Sequence, residues 1–441
     1  MVRERSSSFR RMVLFVLALV VLVPGLMAAP AKKVKFIIDG WALGEAPFRD
    51  LAKKYNALHP EVEIIIEPTP GSWGTKVAAQ QKAGKLEWCA AGIIQPYMYL
   101  QAAVSQKSIQ ALDPYLKASK EPGASAVLTD MLPSVREDGS MDGKLYLFPY
   151  SVENVMVQYR KDYLEAAGVK TFPETWEELV EAARAVKKSM EAAGRKDVVP
   201  FVTELALPTG LGAMFFGSVE NPYDAEGLLK WKSPEMAKTL QLYRKMVAEG
   251  LMPPMAGEGA ELYDMWRRGR IAMFVSPCSR GTWAQKLVGY DKVGMAPIPT
   301  IDGKKKAGTT FWGNCLQLFE GAPYPQEAVD FMVFAMGPQN LDWQKTIIKT
   351  GKPTSFASAF ALLDKDPELA AWKWMHDFRR EIDDSFPAPK NFFYAMQADA
   401  WNKYRIEYFR AGSKLTEEEL AEKILAHTRD LMRKVAELKI K

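Results

Sequence analysis

Asp142-Gly-Lys-Leu-Tyr-Leu-Phe-Pro-Tyr-Ser-Val-Glu-Asn-Val-Met-Val-Gln-Tyr-Arg-Lys-Asp162 is the stretch that decides how this chain folds. Asp-Gly is a turn signal. An aromatic strand follows and meets Pro149, and Val155 to Tyr159 reads as a second apolar strand. Polar residues close it, and Thr171-Phe-Pro-Glu-Thr-Trp-Glu-Glu-Leu179 then starts a helix. Turn, strand, proline break, strand and capped helix is the order a chain needs to leave one lobe and begin another. The stretch is read as the first crossover of a two-lobed protein.

Upstream, Val34 to Ile38 is a strand ended by Asp39-Gly-Trp41. Phe48, Leu51, Ala52, Tyr55 and Leu58 fall at helical spacing, and His59-Pro60 stops that helix. Val62 to Ile66 is a strand, Pro68 to Trp73 a loop, Thr75 to Ala83 a helix, and Ala90 to Ile94 a third strand. Strand-helix-strand-helix-strand predicts a parallel, doubly wound α/β sheet. Ligands of such sheets bind at the carboxyl ends of the strands. Those ends carry Asp39, Trp41, Trp73, Gln95 and Tyr97.

Downstream, Thr175 and Glu178 have the spacing of a capping box, and Thr416 with Glu419 repeats it before the last helix. Ser233-Pro234 starts a helix that runs to Gly250. Ile271 to Val275 is a buried strand. Lys292 to Pro299 is a strand that breaks at two prolines, a natural second crossover. Phe311 to Phe319 is a strand, and Gly351-Lys-Pro-Thr354 is a third break. The expected division is a signal peptide over 1–31, a first lobe over 32–150 and 299–353, and a second over 151–298 and 354–441.

The 441 residues exceed what one core usually serves. A net charge of +5, spread through the sequence, gives no support for a nucleic-acid or polybasic membrane role. Many of the twelve Trp and 16 Tyr must be core, but such numbers also suit a cleft that stacks flat ligands on rings. Arg3, Arg5, Arg10 and Arg11, the apolar run Met12 to Val23 and Ala29-Pro-Ala31 have the layout of a cleaved export signal; the rival reading is an uncleaved anchor, because the apolar run is long for a signal. No Cys stands near the cleavage site to take a lipid, so the mature chain is expected free in the periplasm. Cys89, Cys278 and Cys315 lack CxxC spacing; one bridge plus a free thiol is open in an oxidising compartment, and three small buried residues is the preferred reading.

There is no Walker loop, no G-x-S-x-G elbow and no His spacing for a metal. No catalytic residue, metal or cofactor is predicted. Asp39 and Glu153 could face each other as a glycosidase pair does, yet two carboxylates equally accept sugar hydroxyls. Glu153 stands in an apolar strand, and such a charge needs a partner.

Gly143-Lys-Leu-Tyr-Leu-Phe-Pro-Tyr150, Tyr159-Arg-Lys-Asp162, Ala167-Gly-Val169 and Phe172-Pro-Glu-Thr-Trp-Glu-Glu-Leu179 together resemble the central signature of family 1 extracellular solute-binding proteins. These are the maltose-binding-protein-like receptors of bacterial ABC importers. The resemblance reaches Gly269-Arg-Ile-Ala-Met273, Val293-Gly-Met-Ala-Pro297 and the last helices; Glu87-Trp-Cys89 departs from the family's Pro-Asp-Val. It implies a periplasmic-binding-protein fold, with a hinge of crossing strands and a ligand cleft between the lobes. It implies no enzyme activity, a small-molecule ligand, and the membrane permease subunits of an ABC transporter as partners. A monomer that binds no nucleic acid is expected. The pocket positions it implies are Asp39, Trp41, Gln95, Tyr97, Glu153, Phe201, Trp283, Phe393, Tyr394 and Gln397. Trp73 and Trp312 are added from their places after strand ends and crossovers. Trp283 and Phe393 fit core and pocket equally.

Rings for sugar C–H faces and carboxylates or amides for hydroxyls make a carbohydrate the expected ligand. A polyamine would need more carboxylates, and a phosphodiester would need Arg, which this list lacks. The list therefore points to a neutral polyol. Other readings are a sensor-coupled receptor and a glycan-cleaving enzyme.

Overall fold

A computed structural model describes residues 31–38, 46–68, 73–94, 99–204, 206–253, 260–306, 308–383 and 393–437. The expected signal peptide, except Ala31, lies outside them, as do Asp39, Trp41, Gln95 and Tyr97.

The strands are β1 (Lys32–Ile38), β2 (Val62–Pro68), β3 (Trp88–Ile94), β4 (Ser140–Met141), β5 (Lys144–Leu145), β6 (Leu147–Arg160), β7 (Val199–Thr203), β8 (Ile271–Pro277), β9 (Val293–Ala296) and β10 (Phe311–Leu318). β1 pairs in parallel with β2 and β3, and helices Ala46–Leu58 and Trp73–Lys82 make the crossovers. The expected wound unit therefore forms. Asp142 and Gly143 both have positive φ, 51° and 76°, so the Asp-Gly signal becomes a type I′ turn joining β4 to β5.

The sheet order is β2-β1-β3-β10-β6-β8-β7, with β9 also paired to β6. β6 belongs to both halves. Its Leu147–Asn154 half pairs antiparallel with β10, and Val155–Arg160 pairs with β8 and β9. The sequence reading had two strands parted at Pro149; the structure has one. The register shifts between Asn314 and Cys315, which face Ser151 and Pro149, so Tyr150 is the extra residue of a bulge. A bulge is where a strand interior tolerates a residue with no N–H.

Period-two alternation puts both faces of the first half-sheet to use. Val34, Phe36, Ile38, Phe148, Leu316 and Leu318 face one apolar cluster, while Ile37, Leu147 and Cys315 face a smaller one with Trp88 and Phe319. A separate cluster gathers around β7, β8 and helix Trp176–Ala192, with Leu179, Ala183, Phe201, Met273 and Trp401. These two main cores are the two lobes. Thr175 and Glu178 form the expected capping box on that helix, and Thr416 with Glu419 exchanges the same bonds before helix Glu417–Glu437.

Phe356, Leu363, Trp372, Met375 and Ile382 pack in the first core, whereas Tyr394, Trp401 and Tyr408 pack in the second. The chain therefore changes core between 383 and 393, about thirty residues past the Lys352-Pro353 break. A proline marks where a regular element stops, but only the packing of the segments beyond it decides which core receives them.

Candidate binding site

The two cores meet where β6 passes from β10 to β8. Glu153 stands at that point, in register with Trp312 of β10, and only two residues later Val155 is in register with Pro277 of β8. It is buried, as a charge in an apolar strand must be if partnered. Its partners come from both sides. Ser279, opening helix Ser279–Val288 at the end of β8, donates its hydroxyl to Oε1. Lys352, on the loop after helix Leu341–Lys349, places Nζ 3.0 Å from the same oxygen. Burial pushes the Glu153 carboxyl up. The Lys352 ammonium, the Arg280 guanidinium and the Ser279 hydroxyl more than offset this and hold it below its ordinary 4.5.

Gly351 lets the Lys352 loop come this close. Its φ is +82°, and a Cβ there would lie 2.1 Å from Thr282 Oγ1 and 3.2 Å from Ser279 Cα. Only glycine suits both the left-handed backbone and the contact with the helix start.

A second carboxyl lies beyond β7. Glu204 Oε2 accepts from Thr209 Oγ1 at 2.6 Å, and Oε1 accepts from the Tyr263 hydroxyl. Thr209 sits in a wide π-helical turn, Leu207–Leu211, a geometry common at functional sites. Burial pushes Glu204 up more than its two hydroxyl donors pull it down. Arg280 completes the cluster. Its guanidinium lies 4.3 Å from the Trp283 ring centroid and 4.8 Å from that of Tyr263. Arg267 also lies over Trp283, at 4.4 Å.

The described site candidates from the sequence do not all gather here. Trp312 is buried beside Glu153. Trp283 is half-buried, and a ring already covered by guanidinium groups holds Arg280 rather than offering a bare face for stacking. Phe201 has no exposed surface and faces the second core. Tyr394 is buried in that core. Gln397 is also fully buried, and its Oε1 accepts from Leu229 N at 2.8 Å and Trp231 Nε1 at 3.0 Å. Phe393 is half-buried at the start of helix Phe393–Phe409. Trp73 lies elsewhere in the first lobe. Its ring is 6.0 Å from Phe319, in a cavity of about 480 Å³ also lined by Val77, Ile93 and Tyr99.

Sequence reasoning missed Lys352, Ser279, Arg280, Glu204, Tyr263 and Thr209. Two signals were there to find: a lysine inside the Gly-Lys-Pro break, and an arginine three residues after the end of a wholly buried strand. The three cysteines are buried, as expected, and all are free thiols. Among the described residues no His, Cys, Asp and Glu group could hold a metal, and no helix is long and apolar enough to cross a membrane.

The sequence pattern of the family described as bacterial extracellular solute-binding protein matches residues 50–402. A binding protein of Brucella abortus is 24% identical over 281 residues, covering 62% of this chain and 64% of its own length. The chain thus spans less than two thirds of that relative. The maltotriose-binding protein of Pyrococcus abyssi is 23% identical, over 78% of this chain and 70% of its own. Among solved structures, maltose-bound MalE3 of T. maritima superposes with a TM-score of 0.72 at 20% identity, covering 91% of this chain and all of that one. A solute-binding protein of Agrobacterium vitis with bound D-mannitol gives 0.68 at 20%, covering 92% and 99%. At such identities the superpositions establish the two-lobed fold.

Proposed function

The chain belongs to the bacterial extracellular solute-binding proteins, and we propose that it captures a carbohydrate or polyol between its lobes for an ABC importer. The observation that carries this is Glu153, a carboxylate on the strand shared by both lobes, held by Ser279 from one side and Lys352 from the other. Hydroxyl-rich ligands need such convergent polar groups beside rings. A site built from both lobes also couples binding to hinge closure. Relatives named for maltotriose, and structures solved with maltose or mannitol, support the same ligand class.

We assign residues 1–31 as a cleaved export signal and the periplasm as the working compartment. The first lobe is taken as 32–152 with 311–383, and the second as 155–298 with 393–437. The ligand site is assigned to Glu153, Ser279, Arg280, Glu204 and Tyr263, with Asp39, Trp41, Gln95 and Tyr97 expected from the strand ends of the first lobe. The protein is read as a monomeric binder without catalysis, and its partners as permease subunits. Calorimetry of the mature chain against mono- and oligosaccharides, polyols, polyamines and phosphate esters tests the reading. Saturable binding of one sugar or polyol without turnover supports it; binding of a polyamine alone overturns the ligand class.

A further inference from the structure

We infer that the solute carries a single carboxylate and that Arg280 selects it. This rests on the carbohydrate reading and narrows it from neutral polyols to sugar acids.

The guanidinium is held as a clamp would be. Tyr263 and Trp283 are perpendicular, with centroids 5.7 Å apart, and form a corner against which it stacks. The Arg280 carbonyl accepts from Trp266 Nε1 at 3.2 Å, which fixes the backbone, and Nη1 donates to Ser279 Oγ at 3.1 Å. Nε is buried and has no acceptor among the described residues. A buried N–H without an acceptor is costly, so the arrangement is incomplete by itself. A planar guanidinium fixed by rings matches a planar carboxylate, two N–H groups to two oxygens.

The neighbouring carboxyls make their direct contacts with other groups. Glu153 is engaged by Lys352 and Ser279, and both oxygens of Glu204 are taken by hydroxyls. Burial also pushes the Glu204 carboxyl towards its neutral form, which weakens it as a counterion. Glu153 and Glu204 act on Arg280 through space, but among the described residues Lys352 is the cation in contact with Glu153 and no carboxylate makes an ion pair with Arg280. A ring-held guanidinium with no carboxylate in contact suits one carboxylate on the ligand.

The test is calorimetry on the mature full chain with D-glucuronate, D-galacturonate and D-gluconate. Each is compared with its neutral partner, D-glucose, D-galactose or D-glucitol, and D-glucose 6-phosphate is included. At least one acid is expected to bind about tenfold to a hundredfold tighter than its partner. Arg280→Gln should erase that ratio. Arg280→Lys, which keeps the charge and loses the fork, should retain part of it and guards against a misfolded first variant. An acid no tighter than its partner, a ratio that survives both variants, or tighter binding of the phosphate would overturn the inference. Neutral sugars binding while acids do not would end it and leave the carbohydrate reading standing. Silence from every sugar, acidic and neutral, would end both.

Discussion

Lys352 Nζ lies 3.0 Å from Glu153 Oε1, and both side chains are almost wholly buried at the junction of the two lobes. A pair like this costs much desolvation, so its net worth is small while the loss of one partner is severe. Removing Lys352 leaves the buried Glu153 carboxylate with the Ser279 hydroxyl and the nearby Arg280 guanidinium but without the ammonium in contact with it.

Lys352→Ala should therefore destabilise the protein by about 3–5 kcal/mol, and Glu153→Ala by a similar amount. On the sequence alone, Glu153→Ala is expected to weaken binding and spare the fold; the buried lysine adds a stability cost. Glu153→Gln with Lys352→Met should recover most of the loss. Urea unfolding of both singles and the double decides this, and strictly additive losses would show that the pair is not coupled.

The two carboxyls should respond oppositely to pH. Glu153 is held below its ordinary 4.5, so its contribution is present above that value and fades as acid carries the pH down through the folded value. Glu204 is pushed above 4.5, so its contribution is greatest below that value and is lost as pH rises through the folded value. Glu204→Gln should flatten the decline of melting temperature on the alkaline side of 4.5, while Glu153→Gln should flatten the acid side. Parallel curves for wild type and Glu204→Gln from about pH 4 to 8 would contradict the assignment.

Gly351→Ala meets two obstacles, a positive φ and the Thr282 hydroxyl 2.1 Å from the new Cβ. Left-handed backbone alone costs about 1–2 kcal/mol. Thr282→Ala should rescue the steric part and leave the backbone part. Chemical denaturation of the two singles and the double reads it; an unchanged midpoint in Gly351→Ala would mean that the loop does not press on helix Ser279–Val288.

The thiols should be inert in the folded protein. All three are buried, and burial pushes the Cys278 thiol up to about 12 and those of Cys89 and Cys315 up as well. The thiolate is the reactive form. Ellman's reagent at about pH 8 should titrate the three only after guanidinium is added; a fast native reaction at any one would show that its core opens readily.

Much of this was legible in the chain. β1 to β3 and their helices follow from apolar periodicity and punctuation, because local sequence sets period and ends. Thr175 with Glu178 and Thr416 with Glu419 were readable for the same reason: a capping box spans only four residues. Glu153 was singled out because a charge in an apolar strand demands a partner. The partner itself was not legible, since Lys352 is far along the chain and its loop looks like any break. Trp283 and Gln397 show the converse. Each residue type suits a pocket, but what it touches depends on which elements pack around it, here the guanidinium groups of Arg280 and Arg267 and the 229–231 segment.

The sequence by itself determined most of the elements, the place of the crossover and the two-lobed class, because those rest on periodicities and turn chemistry written in neighbouring residues. Tertiary structure decided that one strand runs through Pro149 and is shared by both lobes, and it decided the lobe of 356–382, the ion pair across the junction and the ring-held position of Arg280. Those depend on apolar faces and charges that meet only when distant segments bury each other.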